Sequence, residues 1–246
     1  RSTEMAVSNP TVAESFEDTP TRNRILAALP PAELDAVTAV LEPFPLPVNT
    51  VLYEAGEKIR YVYFPTSGCV SMVNRMEDGS VEVGTVGMEG FTGLPLLLWD
   101  DEMPSRAFVP LGGSSYRMDA GTFRETVDRH PVFARLLARN SLALFNQVAQ
   151  SVACNRLHTL EARCARWLLM THDRMEHERF LLTHEFLSYM LGVHRPAVTL
   201  AAGVLQRAGL IHYTRGVITV VDRVGLEKAA CACYEIIRRN NARLEE

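Results

Sequence analysis

The chain has 246 residues, of which 47% are apolar and 22% charged, so it can bury a real core in one large or two modest domains. The N-terminus lacks a basic segment followed by an apolar one, and no apolar run approaches the roughly 18 residues of a membrane span, which predicts a cytoplasmic protein. Residues 1–149 carry 12 Lys and Arg against 19 Asp and Glu, whereas residues 150–246 carry 13 against 10. Within a net charge of −4, the C-terminal part is thus the expected surface for phosphate contact.

The first half of the chain is predicted to form a mobile arm and a small β-domain. Residues 1–21 are polar and predict a flexible arm. A short helix is predicted to start near Pro30 and to end at the prolines of residues 43–47. From Val51 onwards, short β-like runs are separated by turn signals about every ten residues, which predicts a β-roll within residues 22–130.

A long helix is predicted for residues 131–158, where no Gly or Pro follows Pro131. An apolar stripe runs along it, and the helix is long for a globular domain, which favours pairing with a second copy. Packing of the helix on its own β-domain is the alternative. The residues predicted for dimerisation are Phe133, Leu137, Leu144, Val148 and Val152.

Residues 183–207 have the pattern of a helix-turn-helix. Thr183 is a good N-cap for a first helix, and Gly192 is expected to end it. A second helix begins near His194 and tolerates Pro196 in its first turn. Positions expected to face the core of this unit are Leu187, Leu191, Val198, Ala202 and Leu205.

The opposite face of the second helix is predicted to contact double-stranded DNA. Arg195 lies at the N-terminal end, which a recognition helix points into the major groove, where a guanidinium can bind guanine through two hydrogen bonds. Two strands over residues 210–220 predict a wing with Arg215 at its tip. The alternative is a helical hairpin that serves packing alone. The predicted DNA-binding residues are Thr183, His194, Arg195, Thr199, Gln206, Arg207 and Arg215.

The five cysteines show neither a C-x-x-C pair nor a histidine at ligand spacing, which favours free thiols over a disulfide framework or a zinc site. No metal ligand is predicted, and His158, like the other scattered histidines, is expected at the surface or at a helix end. The pair Cys231 and Cys233 is either redox-active or simply packed, with packing favoured. Enzyme motifs are lacking as well, and Glu89 between two glycines is interpreted as a turn residue.

The order of β-roll, long helix and winged helix-turn-helix resembles the Crp/Fnr family of bacterial transcription regulators over roughly residues 22–235. The resemblance implies an α+β fold with an N-terminal β-roll or jelly-roll sensor domain (22–130), a dimerisation helix (131–158) and a C-terminal winged helix-turn-helix domain (159–246). It also implies a homodimer on a near-palindromic site, an effector bound by the sensor domain, and RNA polymerase as a partner. The matching segments are residues 63–70, 161–168, 191–199 and 205–211.

Departures from the family pattern affect the effector more than the DNA. Members that bind cyclic AMP use a Gly-Glu pair and an Arg-Ser-Ala segment, but here Leu94 follows Gly93 and the order is Ser105-Arg106. Val148 stands where a hydroxyl residue would meet the base. Since each lost buried hydrogen bond costs about 1 kcal/mol, tight binding of cyclic AMP in the usual pose is not expected.

The predicted effector pocket is therefore apolar, or else its residues are ordinary β-roll core, which is slightly favoured. An iron-sulfur cluster is not expected because no cysteine precedes Cys69. In the recognition helix Arg195 matches the family's founding members, but Pro196 and Leu200 do not, so the target sequence should differ. The candidate pocket residues are Phe91, Gly93, Leu94, Ser105, Arg106 and Val148.

A second function from a different class stays open at this stage. The chain could be a cyclic-nucleotide-like regulatory module that docks a protein partner through its C-terminal helices. That hypothesis predicts no salt-dependent affinity for DNA and tolerance of Arg195→Ala, whereas a DNA-binding regulator should lose site preference with the same substitution.

Overall fold

The computed structural model describes residues 19–77, 79–175 and 178–242. Two antiparallel sheets, ordered β1-β7-β3 and β2-β6-β4-β5, form the N-terminal domain, as the β-like runs predicted. The predicted flexible arm lies almost entirely outside the described residues. The strands of this domain are β1 (Glu42–Leu46), β2 (Val51–Tyr53), β3 (Tyr61–Pro65), β4 (Cys69–Met76), β5 (Gly79–Val86), β6 (Arg106–Leu111) and β7 (Gly113–Asp119). Its helices are α1 (Arg24–Ala27), α2 (Pro31–Thr38), α3 (Leu94–Leu97) and α4 (Ala120–Arg129), preceded by a 3-10 turn at Pro20–Arg22.

Strand β1 was missed in the sequence because its prolines suggested only the end of a helix. It lies at the edge of its sheet and pairs with β7 alone, from Glu42 opposite Arg117 to Leu46 opposite Gly113. Pro43 and Pro45 are two residues apart, so the positions that lack an N–H point to the same, unpaired side of the strand. An edge strand thus accommodates prolines that a central strand would exclude.

The turn between β3 and β4 requires glycine at residue 68. Gly68 has φ of +72°, and a Cβ added there would lie 2.8 Å from the carbonyl oxygens of Leu111 and Gly112. Both the left-handed backbone and the close approach of another chain segment exclude a side chain. This turn brings β4 into the sheet that faces the C-terminal domain.

A helix of 27 residues, α5 (Pro131–Leu157), connects the two domains and matches the predicted long helix. The C-terminal domain follows His158 and contains a winged helix-turn-helix, in agreement with the predicted fold class. Among the described residues, none of the helices combines the length and hydropathy that crossing a bilayer requires. The elements are α6 (Leu160–His172), β8 (Arg179–Leu181), α7 (His184–Leu191), α8 (Arg195–Arg207), β9 (Ile211–Thr214), β10 (Val217–Val220), α9 (Arg223–Ala229) and α10 (Cys233–Ala242).

The C-terminal domain shares its hydrophobic core with the four-stranded sheet. Three buried side chains of the N-terminal domain, Cys69, Val73 and Leu111, belong to the cluster formed by α6, α7 and α8. At the same junction the rings of Phe108 on β6 and Phe186 on α7 meet edge to face, with centroids 5.9 Å apart. The C-terminal domain is therefore packed against the N-terminal domain and is not attached through α5 alone.

Candidate nucleic-acid interface

Helices α7 and α8 meet at a glycine turn, as the sequence predicted. The Thr183 side chain caps α7 by accepting a hydrogen bond from the Phe186 N–H at 3.1 Å. Gly192 ends α7 with φ of +62°, and a Cβ added there would lie 3.0 Å from Cγ2 of Val81 on β5. Gly192 is thus required by its backbone conformation and by the packing of the turn on the sensor domain.

Helix α8 has one buried and one exposed face. Val198, Ala202 and Leu205 are buried in the shared core, which confirms their predicted inward position. The exposed face carries Arg195 in the first turn and Leu200 one turn later, with 72% of Leu200 accessible to solvent. This face is thus an available surface with a cation at its N-terminal end and an aliphatic side chain at its centre. The other exposed residues of α8 are Pro196, Thr199, Val204, Gln206 and Arg207, and His194 is exposed at the N-cap.

His184, which the sequence analysis did not single out, connects α7, α8 and the wing. Its ring stacks on Tyr213 with centroids 4.0 Å apart, and its Nδ1 lies 3.0 Å from Oγ1 of Thr199. Thr199 donates its own hydroxyl hydrogen to the Arg195 carbonyl at 3.1 Å, so the His184 Nδ1–H is the donor to Thr199. Burial, and then the charge of Arg195, lower the pKa of His184. A neutral His184 therefore fixes the first turns of α8.

The wing has three strands, not the predicted two. Strand β10 pairs with β9 on one side and with β8 on the other, and Ile218 lies opposite both Tyr213 and Phe180. The tip is formed by Arg215 and Gly216, both with positive φ, and Arg215 is exposed. Short strand β8 was missed because three residues are too few to show a period.

Gln206, predicted to contact DNA, has an internal partner. Its Oε1 accepts a hydrogen bond from the Tyr213 N–H at 2.6 Å and thereby connects the last turn of α8 with β9. The two N–H groups and one lone pair of the oxygen are left for an external partner. Thr183 is likewise engaged as a helix cap, so Arg195, Arg207 and Arg215 are the predicted residues with the most accessible hydrogen-bond donors.

Buried polar contacts fix the C-terminal domain on the sensor domain. Glu82 on β5 accepts hydrogen bonds from Ser71 and from Nε1 of Trp167, the latter at 3.0 Å. Glu89 forms an ion pair with Arg174, and both side chains are buried. The interpretation of Glu89 as a turn residue was therefore incomplete, because its carboxylate is the partner of a buried guanidinium from the other domain.

The predicted effector residues are engaged in separate contacts within the N-terminal domain. Phe91 is fully buried and stacks between Phe64 and Phe123, with centroids 6.2 and 6.0 Å away. The Ser105 hydroxyl donates to Asn74 Oδ1 at 2.6 Å, and Arg106 pairs with Glu54 at 3.2 Å. Leu94 is half-buried against the N-terminal core and Gly93 precedes α3 with φ of +86°. These positions support the alternative that the segment is β-roll core.

A cavity of about 350 Å³ lies elsewhere, between the N-terminal domain and the C-terminal helices. Arg24, Glu89, Arg174, Tyr234 and Arg238 are among the residues that line it. None of the six predicted effector residues lies on its wall.

The predicted dimerisation residues occupy different environments on α5. Phe133 and Leu137 are fully buried in the N-terminal core and are not available to a second copy, so that part of the prediction was wrong. Leu144 and Val148 are half-buried over β5, where a Cβ added to Gly84 would contact both. Of the predicted set, only Val152 is exposed. The reason is that α5 carries two apolar stripes. The N-terminal domain covers the stripe that begins with Phe133 and Leu137.

The second stripe faces solvent. Leu142, Phe145 and Val152 are 61%, 66% and 68% exposed, and Ala138 and Ala149 continue the same row. The intervals along the chain alternate between four and three residues, which is the spacing of the a and d positions of a coiled coil. Helix α5 therefore offers a continuous apolar seam in addition to the face that packs on its own domain.

All five cysteines are buried, and none forms a disulfide. Cys154, Cys231 and Cys233 lie together with His158, and one ligand atom from each falls within 4.8 Å of the others. The conclusion that no histidine has a ligand spacing to the cysteines was therefore wrong. The signal in the sequence was the interval of four residues between Cys154 and His158, which places both on one side of a helix.

Two family models match the chain in the order of its domains. The model described as a cyclic nucleotide-binding domain matches residues 44–130, and the one described as a Crp-like helix-turn-helix domain matches residues 162–229. A search among curated proteins with this sequence finds no significant match.

Solved structures share the fold at low sequence identity. A transcriptional regulator of the Crp/Fnr family from Eubacterium rectale is 17% identical, with a TM-score of 0.65 over 85% of this chain and 98% of the other. FixK2 from Bradyrhizobium japonicum is 16% identical, with a TM-score of 0.63 over 78% and 98%. A CRP family regulator from Thermus thermophilus is 21% identical, with a TM-score of 0.62 over 77% and 96%.

Proposed function

Because the chain belongs to the Crp/Fnr family of transcription regulators, a family of DNA-binding proteins and not of enzymes, we propose that it acts as a homodimer on a near-palindromic DNA site. The observation that supports this most directly is the exposed face of α8, with Arg195 in the first turn of this second helix. An α-helix fits the major groove, and its first residues reach the base edges. The alternative of a protein-docking module without a DNA role is not favoured.

The proposed DNA contacts are of two kinds: contacts to bases, which select the sequence, and contacts to phosphates, which position the protein on the DNA. Arg195 is suited to guanine, and the exposed Leu200 to the methyl group of thymine one turn further along. Arg215 at the wing tip and Arg207 at the end of α8 are suited to phosphates, which fix the register but carry no sequence information. Thr183, His194 and Thr199 are exposed as well, so we place them at the edge of the same interface.

The exposed seam of α5 supports the dimer. Two copies of Leu142, Phe145 and Val152 facing each other would remove large apolar side chains from water. A parallel pairing of the two α5 helices would place both C-terminal domains at the same end, as a two-fold symmetric site requires. The site would then have half-sites about 34 Å apart, or one turn of DNA.

The proposed regulator acts in the cytoplasm with RNA polymerase as a partner and does not require cyclic AMP. Leu94 and Val148 supply no polar group for the nucleotide, and Arg106 is engaged by Glu54. A small-molecule effector is part of the proposal.

Selection of random duplexes by the purified protein tests the function. The expected result is an enriched two-fold symmetric site whose affinity, measured by fluorescence anisotropy, falls steeply with salt and does not respond to cyclic AMP. Enrichment of no motif, together with weak uniform binding, would contradict the proposal. A large response to cyclic AMP would contradict only the part that concerns the effector.

Arg195→Ala is expected to cost about 1 to 3 kcal/mol on the selected site and to relax the preference at one base pair. Arg215→Ala should instead weaken binding to all sequences and reduce the slope of log affinity against log salt by about 1. Arg129→Ala, which removes an exposed arginine of the sensor domain, is the matched control and should bind like the wild type. If Arg195→Ala left the base preference unchanged, α8 would not be the reading element.

A further inference from the structure

Four metal-ligating side chains converge where the long helix ends. Cys154 lies in the last turn of α5, and His158 is the C-cap residue of this helix. Cys231 and Cys233 lie at the start of α10. Cys231 is 77 residues from Cys154, and Cys233 is 75 residues from His158. The ligand atoms of all four lie within 4.8 Å of one another.

The distances suit a single tetrahedral ion. Bonds of about 2.3 Å to sulfur and 2.0 Å to nitrogen place two sulfurs about 3.8 Å apart, and a sulfur and a nitrogen about 3.5 Å apart. Sγ of Cys154 and Sγ of Cys231 are 3.4 Å apart, and Sγ of Cys233 is 3.5 Å from Nδ1 of His158. Since the groups are so close together, they leave room for one ion and not for a cluster of several irons.

A buried cation lies near the cluster. All three cysteines of the cluster are buried as well. Arg166 is itself 94% buried, and its Nε has no hydrogen-bond partner among the described residues. The charge of Arg166 acts on Cys154, and this buried cation would be compensated by thiolates bound to a metal.

We propose that Cys154, His158, Cys231 and Cys233 form a Cys₃His site for one Zn²⁺ ion per chain. Soft thiolate and imidazole ligands in tetrahedral geometry are typical of structural zinc. All four coordination positions are supplied by the protein, so the ion would stabilise structure and would not activate water. Its position is distinct from the DNA-contacting face of α8.

The site lies at the joint between the long helix and the DNA-binding domain. His158 has extended backbone torsions, and Thr159 caps α6 immediately after it. A metal bonded to residues before this joint and to residues after the wing closes a loop around the whole helix-turn-helix. A bound metal should therefore fix the orientation of α6 relative to α5. This effect does not depend on which DNA sequence the protein binds.

Titration of the full-length, chemically reduced protein with Co²⁺ under anaerobic conditions tests the site. The expected spectrum has thiolate-to-cobalt charge-transfer bands in the near ultraviolet and the visible d–d bands of a tetrahedral ion. Saturation is expected at one Co²⁺ per chain, and Zn²⁺ should displace it and bleach the colour. Weak octahedral binding, or no binding by the reduced wild type, would overturn the proposal, as would an iron-sulfur spectrum in protein purified anaerobically.

Variants locate the ion at these four residues. Cys233→Ser and His158→Gln are expected to weaken Co²⁺ binding about 100-fold or more. Cys69→Ala and Cys164→Ala remove buried thiols outside the cluster and should bind Co²⁺ like the wild type. Because His158 is only half-buried at a helix end, His158→Gln should keep the fold, which circular dichroism checks. Equal losses in the control variants would assign the ion elsewhere.

Amide hydrogen exchange in the wild type tests whether the metal fixes the orientation of α6 relative to α5. Removal of Zn²⁺ by a chelator should accelerate exchange at residues 154–162 and 230–237 and leave the β-sheets of the sensor domain unchanged. A disulfide between Cys154 and Cys231 that persists under the reducing conditions of the metal titration would contradict the proposal. Exchange that is the same with and without Zn²⁺ would show that the ion does not hold this joint.

Discussion

Replacing Phe145 by Glu is expected to give a folded monomer that has lost most of its affinity for the DNA site. Phe145 is 66% exposed on α5, so the substitution removes nothing from the core of one chain. In a dimer, two phenyl rings would lose burial that is worth about 1.5 to 3 kcal/mol each. At 1.4 kcal/mol per factor of ten, the dimer dissociation constant should rise about 100-fold or more, before repulsion between the two carboxylates is added. Light scattering across a concentration series measures the change.

Two further variants distinguish the exposed seam from the buried stripe of the same helix. Val224→Glu places the same charge at an exposed apolar position on α9 and should remain dimeric. Leu137→Ala should lower the free energy of unfolding by about 2 to 5 kcal/mol because its side chain is fully buried, while the dimer interface is preserved. A Phe145→Glu protein that stays dimeric would show that copies of this chain associate through another surface.

Glu89→Gln is expected to lower the free energy of unfolding by about 3 to 5 kcal/mol. Arg174 pairs with Glu89 in a buried setting, with side chains 5% and 11% exposed, and removal of the carboxylate leaves an uncompensated buried cation. Replacing both partners, as in Glu89→Leu with Arg174→Met, should cost much less than the single substitution. Urea unfolding curves measure both differences. Lys58→Ala, which breaks an exposed pair with Asp101, serves as the control and should unfold like the wild type.

The same substitution should change the acid dependence of stability. Burial opposes ionisation of Glu89, but the charge and hydrogen bonds of Arg174 outweigh it and lower the pKa of the carboxyl. A lowered pKa contributes stability that is complete above the pKa of an unfolded Glu, about 4.3, and is lost as the pH falls through the folded value. The difference between wild type and Glu89→Gln should therefore shrink below about pH 4. The pKa of Glu82 is raised by burial, but Glu82 is present in both proteins and does not contribute to the difference between them. A constant difference across this range would mean that Glu89 is not ionised in the folded protein.

The ion pair also bears on how the two domains communicate. Glu89 follows β5 in the sensor domain, and Arg174 follows α6, 85 residues later. Together with the contact between Trp167 and Glu82, it holds the DNA-binding domain on the four-stranded sheet. A change in the sensor domain that moves the end of β5 would act directly on α6.

Local patterns were sufficient to predict the helix-turn-helix. The cap at Thr183, the stop at Gly192 and the core positions Val198 and Leu205 depend on residues within one or two turns of each other. The exposed positions of Arg195 and Thr199 follow from the same period. The cross-links of this unit did not follow, because the stacking of His184 on Tyr213 joins residues that are far apart in the sequence.

The periodicity of α5 does not predict which of its apolar faces is buried. The sequence shows that the helix is long and apolar on more than one side, but each stripe alone is compatible with either a core or an interface. Packing on the sensor domain buries Phe133 and Leu137 and leaves Leu142 and Phe145 exposed. Strand β1 is a similar case, because the tolerance of its prolines depends on its being at the edge of a sheet.

The sequence by itself determined the order of the domains and the helix-turn-helix with the cap and the stop of its first helix. Only the tertiary structure decided which face of α5 is free, that Glu89 neutralises Arg174, and that Cys154 and His158 meet Cys231 and Cys233. The physical reason is the separation along the sequence of the residues that interact. Hydrogen-bonded turns and helical periods are fixed by neighbours in the chain, whereas side chains 75 or more residues apart are brought together only when whole elements pack.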